Sequence, residues 1–156
     1  MRRNGGFTLI ELIVVIIILG LLAATAAPKF LNLQKEAREA TLKGLKGAME
    51  SASSLIYSKS VINGIENTAA GAGVGVSVAN STVTTAFGYP TATDTGIPAA
   101  LDLSTGDWKG AVSGSHYVFY PDTTSGNTVS AGCNVTYIEP AASGSRPTIK
   151  VVNSSC

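Results

Sequence analysis

Glu11 is a carboxylate set inside a run of apolar residues, and it offers the first chemistry in the sequence. It follows Gly6-Phe7-Thr8-Leu9-Ile10 and precedes the almost wholly apolar stretch Leu12 to Ala27. A carboxylate on an apolar helix costs on the order of 3 kcal/mol at a bilayer centre. Such a group needs a positive partner. Cutting the chain between Gly6 and Phe7 would create one, a free amine at Phe7, on the same helix face as Glu11 four residues on. Between staggered copies in an apolar filament core, that pair is strongly favoured over either charge alone. Cys133 and Cys156 are the other reactive pair, and in an exported chain they read as one disulfide. There is no CxxC and only one histidine, His116, so neither a metal nor a redox role is indicated. No GxSxG element frames a nucleophilic serine. Asp94, Asp102, Asp107, Asp122 and Glu139 are scattered without calcium-loop spacing. Gly71, Gly73 and Gly75 complete neither a dinucleotide nor a P-loop fingerprint. The expectation is a protein that is not an enzyme and carries no cofactor.

The elements that position Glu11 come next. Residues 7–27 would span roughly 31 Å as a helix, enough to cross a hydrocarbon core. Arg2 and Arg3 precede the run and hold the N-terminus on the cytoplasmic side by the positive-inside rule. Three readings compete for this segment. A signal anchor and a secretory signal peptide share its hydrophobicity, and Ala24-Thr25-Ala26 matches a small-residue cleavage pattern. The run exceeds a usual signal-peptide core, and Pro28 follows closely. Only the third reading, an assembly helix, explains Glu11.

Composition agrees with a greasy rod plus a small soluble head. Hydrophobic residues make up 45% of the 156, concentrated before Pro28. Net charge is +1, and loss of Arg2 and Arg3 would leave nine basic against ten acidic residues. No basic patch argues for nucleic acid.

Pro28 lacks an N–H and clashes with the carbonyl of Ala24, so it should kink or locally break a helix, or else mark a helix start. From Lys29 to about Lys59 the chain reads helical. Leu45, Ala48, Met49, Ala52, Leu55 and Ile56 form an apolar stripe at helical spacing. Glu39 and Lys43 make a favourable i, i+4 pair. Asn63-Gly64 is a stop signal. In the head, Val74, Val76 and Val78 alternate as a short strand. Gly88-Tyr89-Pro90 and Gly96-Ile97-Pro98 mark turns. Leu101–Leu103 before Ser104-Thr105-Gly106 open a short helix or turn, and Trp108 anchors a loop. Strands follow at residues 116–120, 133–138 and 148–152, as an antiparallel meander packed on the helix stripe. The expected fold class is α+β, a long N-terminal helix with its apolar half projecting and its C-terminal half packed on a small antiparallel sheet.

Gly5-Gly6-Phe7-Thr8-Leu9-Ile10-Glu11 followed by an apolar run resembles the class III signal of type IV pilins, and of the type IVa branch in particular. The resemblance implies a leader at 1–6, a membrane and filament-core helix at 7–28, and a periplasmic or extracellular head at 29–156. It implies that a prepilin peptidase cuts after Gly6 and N-methylates Phe7, and that Glu11 is the glutamate used in assembly. Gly20 and Pro28 fall where that branch weakens its helix, so that it can unwind in the filament. The Cys133–Cys156 pair matches the disulfide-bounded C-terminal region of pilins.

Several further segments are similar to the mannose-sensitive haemagglutinin (MSHA) pilins. They include Phe30-Leu31-Asn32-Leu33-Gln34, Gly88-Tyr89-Pro90, Ala100-Leu101-Asp102-Leu103-Ser104-Thr105 and Tyr137-Ile138-Glu139-Pro140. The implied partners are other copies of the chain in a helical homopolymer, the peptidase, inner-membrane lipid, and the pilus assembly machinery. Host or abiotic surfaces, glycans and phage are implied as well, with surface adhesion and biofilm formation as the function. The chain would sit in the inner membrane as a prepilin and then in a surface pilus. A type II secretion pseudopilin or a minor pilin shares the N-terminus. A signal-anchored or secreted binding module and a hydrolase using His116 are the alternatives outside the family.

Overall fold

The computed structural model describes residues 6–71, 73–78, 81–103, 106–122 and 132–156, with backbone alone at 31 and 32. Leader residues 1–5 and Ser104-Thr105 lie outside the described residues, as do positions 72, 79 and 80 of the glycine-rich tract. The chain divides into two units, Met1–Arg38 and Glu39–Cys156. One helix, α1 (Leu9–Ile62, 54 residues), contributes to both.

In the first unit α1 carries an 18-residue window of mean hydropathy 2.8, none of it buried, long and apolar enough to cross a membrane. Pro28 lies inside α1, so it does not mark a helix start, and the assigned helix runs through it without a break.

In the second unit α1 ends where Asn63-Gly64 predicts. Gly64 takes φ +69°, its N–H donates to Val61 O at 3.1 Å, and Ile65 N–H donates to Ser60 O at 3.0 Å. This is a Schellman ending, with Ile65 packed back near Ile56. The buried line of the helix is Leu42, Leu45, Met49, Ser53, Ile56 and Ser60. The expected stripe is therefore shifted: Ala48 and Leu55 face out, with Leu55 55% exposed. A count of apolar residues misses small serines that fit a tight core. Among the described residues the i, i+4 ion pair is Lys46–Glu50 at 3.7 Å, not Glu39–Lys43.

Two antiparallel sheets follow. The first has the order β1 (Gly75–Val78), β2 (Ser81–Ala86), β3 (Tyr89–Pro90). The second is a meander of β4 (Trp108–Ser113), β5 (His116–Pro121), β6 (Asn134–Ile138) and β7 (Thr148–Val152). β1, β5, β6 and β7 sit where the sequence places strands; β2, β3 and β4 were not anticipated. Trp108 starts β4 rather than a loop and packs, half-buried, on the main core. A single 3-10 turn, Pro98–Ala100, precedes Leu101–Leu103. The main core joins Leu42, Leu45 and Met49 of α1 to Tyr117, Phe119, Val135 and Tyr137 of the second sheet. A smaller core joins Ile56 to Val76 and Val83 of the first.

The segment between β3 and the 3-10 turn is tied to β5 and β6. Tyr137 donates its hydroxyl to Pro90 O at 2.8 Å, Ala92 N–H donates to Glu139 Oε2 at 2.7 Å, and Tyr117 donates to Asp94 Oδ1 at 3.1 Å. Asp94 and Glu139 are thus structural acceptors. Burial, reinforced by the Asp94 bond, pushes the Tyr117 hydroxyl up to about 12, and burial raises Tyr137 as well. An unfolded tyrosine ionises near pH 10. Below that pH both states keep the proton. Between about pH 10 and 12 the unfolded chain releases a proton that the folded chain retains, so stability falls as pH rises. The urea midpoint of the full chain should drop across that window, with a shallower drop in Tyr117→Phe. A flat midpoint from pH 10 to 12 would remove this account.

Phe87 and Gly88 form the two-residue turn between β2 and β3, both left-handed, at φ 49° and 83°. That is the twist-matched hairpin turn. A Cβ on Gly88 would lie 2.9 Å from the Tyr57 ring and 3.0 Å from Glu66 Cα. Gly88→Ala should therefore destabilise the second unit by about 1–3 kcal/mol, read from urea unfolding. An unchanged midpoint would contradict the geometry.

Candidate functional site

The N-terminus of α1 holds the sequence-predicted site. Thr8 is the N-cap residue and Glu11 stands three positions into the helix. Thr8 N–H donates to Glu11 Oε2 at 2.8 Å, and Glu11 N–H donates to Thr8 Oγ1 at 3.3 Å. The Thr8 hydroxyl also donates to Glu11 Oε2 at 2.7 Å. This is a reciprocal capping box, in which the first helical turn satisfies its own orphan donors. The sequence signal was present as Thr8-Leu9-Ile10-Glu11, a T-x-x-E pattern opening an apolar run.

The box changes the electrostatics of the site. One oxygen of Glu11 is held by two donors of its own chain, and Oε1 has no hydrogen bond among the described residues. Charge-assisted bonds of this kind offset part of the cost of placing the carboxylate in an apolar setting. They do not neutralise it. The residues around it are apolar and open: Phe7 is 84% exposed and Leu9 75%. Phe7, Ile10, Glu11, Val14 and Val15 line a shallow concavity of about 350 Å³ in which Glu11 is the only charged group. An apolar wall with one carboxylate can receive an apolar group bearing a positive charge.

The other predicted residues lie elsewhere. Gly6 and Phe7 precede the cap. Gly20 is inside α1, with nothing within 4 Å of where a Cβ would stand, and Pro28 is also inside α1. In the second unit Cys133 and Cys156 are joined, with Cα atoms 4.9 Å apart and a sequence separation of 23. They bracket β6 and β7, as the sequence implied. His116 is half-buried on β5, with Ser115 Oγ 3.1 Å from its Nδ1. No carboxylate orients that ring among the described residues, so no triad forms. No cluster of His, Cys, Asp and Glu suited to a metal occurs among them.

Comparison with known proteins bears on the same segment. The prokaryotic N-terminal methylation motif matches residues 1–27. The chain is 46% identical over 50 residues to the type IV narrow pilus major component of Thermus thermophilus, covering 32% of this chain and 43% of that protein. It is 40% identical over 57 residues to the type IV major pilin protein PilA of Myxococcus xanthus, covering 36% and 26%. These two matches thus span less than half of either relative. No solved structure matches the chain. The fimbrial protein EcpC of Eikenella corrodens is 37% identical over 107 residues, 67% of each chain. The likeness to pilins is therefore not confined to the apolar helix but runs on into the second unit, and the chain belongs to the type IV pilin family.

Proposed function

We propose that this chain is a prepilin, cut between Gly6 and Phe7, N-methylated at Phe7, and polymerised through residues 7–28 into a type IV pilus. The observation that carries the reading is the apolar concavity at Phe7 and Glu11, with its single carboxylate. Its complement is an aromatic residue with a free amine, which cutting before Phe7 produces on every copy. Before assembly the apolar helix rests in the inner membrane with the head periplasmic, and afterwards the chain is part of a surface filament. Its partners are then other copies of itself, the prepilin peptidase and the pilus assembly machinery. The methylation motif and the pilin relatives support this sequence of events.

Gly20 and Pro28 mark the weakest stretch of α1, since glycine costs about 1 kcal/mol and proline about 3 kcal/mol relative to alanine. That stretch is where packing in a filament would melt the helix. Within the family we place the chain with the MSHA-type pilins, on the head segments quoted above, and assign it surface attachment and biofilm initiation. The Cys133–Cys156 disulfide supports a pilus subunit over a pseudopilus subunit.

Mass measurement of the mature N-terminus, with electron microscopy of sheared filaments, tests the reading. A methylated Phe7 on a chain that dominates the filaments is expected. A mature start at Ala27, or filaments lacking this chain, would end it. Cells without the chain should lose attachment to surfaces, and unaltered attachment would remove the adhesive role.

A further inference from the structure

In the second unit the exposed side of α1 carries a line of residues with a regular charge pattern. Ala40, Lys43, Gly47, Glu50 and Ser54 recur at alternating steps of three and four, and all five are exposed. They lie beside the buried line through Leu42, Leu45 and Met49. Steps of this kind return to one helix face every seven residues, the spacing along which two helices pack together. The charged positions are Lys43 and Glu50, opposite in sign and seven residues apart. In the sequence the alternation continues, since Glu36 and Lys29 precede Lys43 by seven and fourteen residues. Glu39 and Lys46, next to the line, repeat the spacing with opposite signs.

Little within the chain answers these groups. Lys43 makes no ion pair among the described residues. Glu50 meets Lys46 at 3.7 Å, but both side chains are largely exposed, and such a contact holds little. Gly47 is disfavoured inside a helix relative to alanine, and nothing lies within 4 Å of where its Cβ would stand. Its missing side chain therefore serves no packing among the described residues. Ser54 folds its hydroxyl back onto Glu50 O at 3.0 Å. Small residues at 40, 47 and 54, between the charges, leave room for a second helix to come close.

We propose that this line docks on the same line of a second copy, parallel to it and displaced by seven residues, about 10.5 Å along the helix. The displacement sets Lys43 of one copy against Glu50 of the other, and Glu39 against Lys46. An undisplaced parallel copy would set Lys43 on Lys43 and Glu50 on Glu50, which repels. The alternation of sign thus selects both the partner, a copy of this chain, and the step between copies. The parallel direction rests on the pilus reading, in which every copy enters the filament with its apolar half pointing the same way. Glu11 and the Phe7 amine attract in the apolar half, and the Lys43–Glu50 contact sets the register between the second units.

The test is cross-linking in filaments of the full-length chain. The two native cysteines are joined to each other, so introduced thiols are the only free ones. Lys43→Cys with Glu50→Cys puts two thiols on one helix with Cα atoms about 10.5 Å apart, beyond the reach of a disulfide, so any bond they form joins two copies. Mild oxidation of sheared filaments should give a ladder of covalent dimers, trimers and longer species on a non-reducing gel. Lys43→Cys alone and Glu50→Cys alone should stay monomeric. Charge reversal is the second arm. Lys43→Glu should cut filament yield by about tenfold or more, with cleavage after Gly6 and the urea midpoint unchanged. Reversing all four signs together (Lys29→Glu, Glu36→Lys, Lys43→Glu, Glu50→Lys) restores every opposite pair and should restore the yield. Filaments in which the double-cysteine chain stays monomeric would overturn the proposal. Equal cross-linking by either single variant, normal yield in Lys43→Glu, or yield that stays low in the fourfold chain would do the same. A ladder from Glu36→Cys with Lys43→Cys, and none from Lys43→Cys with Glu50→Cys, would replace the parallel contact with an antiparallel one. Absence of filaments from the native chain would instead end the pilus reading itself.

Discussion

Glu11→Gln should be processed between Gly6 and Phe7 like the native chain and should leave cells without filaments. The substitution separates two roles that one side chain holds. Glutamine fits the same capping box, since its amide oxygen can accept from Thr8 N–H as Glu11 Oε2 does at 2.8 Å. Helix entry is therefore preserved, and so is the local backbone at the cleavage site. What is lost is the negative charge that would meet the Phe7 amine of another copy. An uncompensated amine in an apolar core is strongly disfavoured, with a cost of about 3–5 kcal/mol for breaking one buried pair. Repeated along a filament, that cost stops assembly.

Thr8→Ala makes the opposite change. It removes two of the three bonds of the box, at a cost of about 0.5–2 kcal/mol in one helix end, and keeps the charge. Filaments should persist in that variant, in reduced number. The mature N-terminus by mass and filaments by electron microscopy read both outcomes. Normal piliation in Glu11→Gln together with its loss in Thr8→Ala would mean that helix capping, and not charge pairing, is the assembly role of Glu11. Glu11→Ala removes both functions and should behave like Glu11→Gln, with cleavage largely intact.

The contrast also shows what sequence could and could not convey. Glu11 and Phe7 were legible because their chemistry is local: a charge in an apolar run, four residues from a potential amine. The Thr8 cap is equally local, a T-x-x-E pattern, but an internal and an external partner for Glu11 leave the same mark in sequence, a carboxylate at the start of an apolar run. Strands β5, β6 and β7 were legible from runs such as Tyr117-Val118-Phe119-Tyr120 and Thr148-Ile149-Lys150-Val151-Val152, whose β-branched and aromatic residues suit a pleated surface. β4 was not, since Trp-Lys-Gly-Ala-Val-Ser is weak in strand formers. Its pairing with β5 is imposed by tertiary packing: a Cβ on Gly110 would stand 2.4 Å from the Tyr117 ring, so glycine is what lets that ring lie across the strand. The same limit hid Ser53 and Ser60 in the helix's buried line.

Removing the Cys133–Cys156 bond should lower stability by on the order of 3 kcal/mol, the chain-entropy value for closing a loop of this size. For a folded unit of residues 39–156 this corresponds to a fall in Tm on the order of 10 °C. The location of the bond explains why the loss should be concentrated at one edge. Among the described residues β7 pairs only with β6, so one side of its backbone has no strand partner there. Its side chains alternate between half-buried and exposed, with Ile149 and Val151 turned to the main core. After Val152, Ser155 N–H donates to Gly132 O at 3.1 Å and the Ser154 hydroxyl donates to the same carbonyl at 3.4 Å, both beside the disulfide. Without the bond, β7 should fray before β5 and β6 do. Hydrogen exchange on the Cys133→Ser, Cys156→Ser chain should show β7 amides losing protection first, while those of Tyr117–Phe119 remain the slowest. Cleavage at Gly6–Phe7 should be unaffected, because the capping box uses only Thr8 and Glu11. Filament yield should fall, since an unfolded second unit is exposed to proteases before it can be assembled. An unchanged Tm would show that the Ile149 and Val151 packing holds the edge by itself. Uniform loss of protection across β4–β7 would show instead that the sheet opens as one unit, and that the disulfide stabilises all of it rather than its last strand.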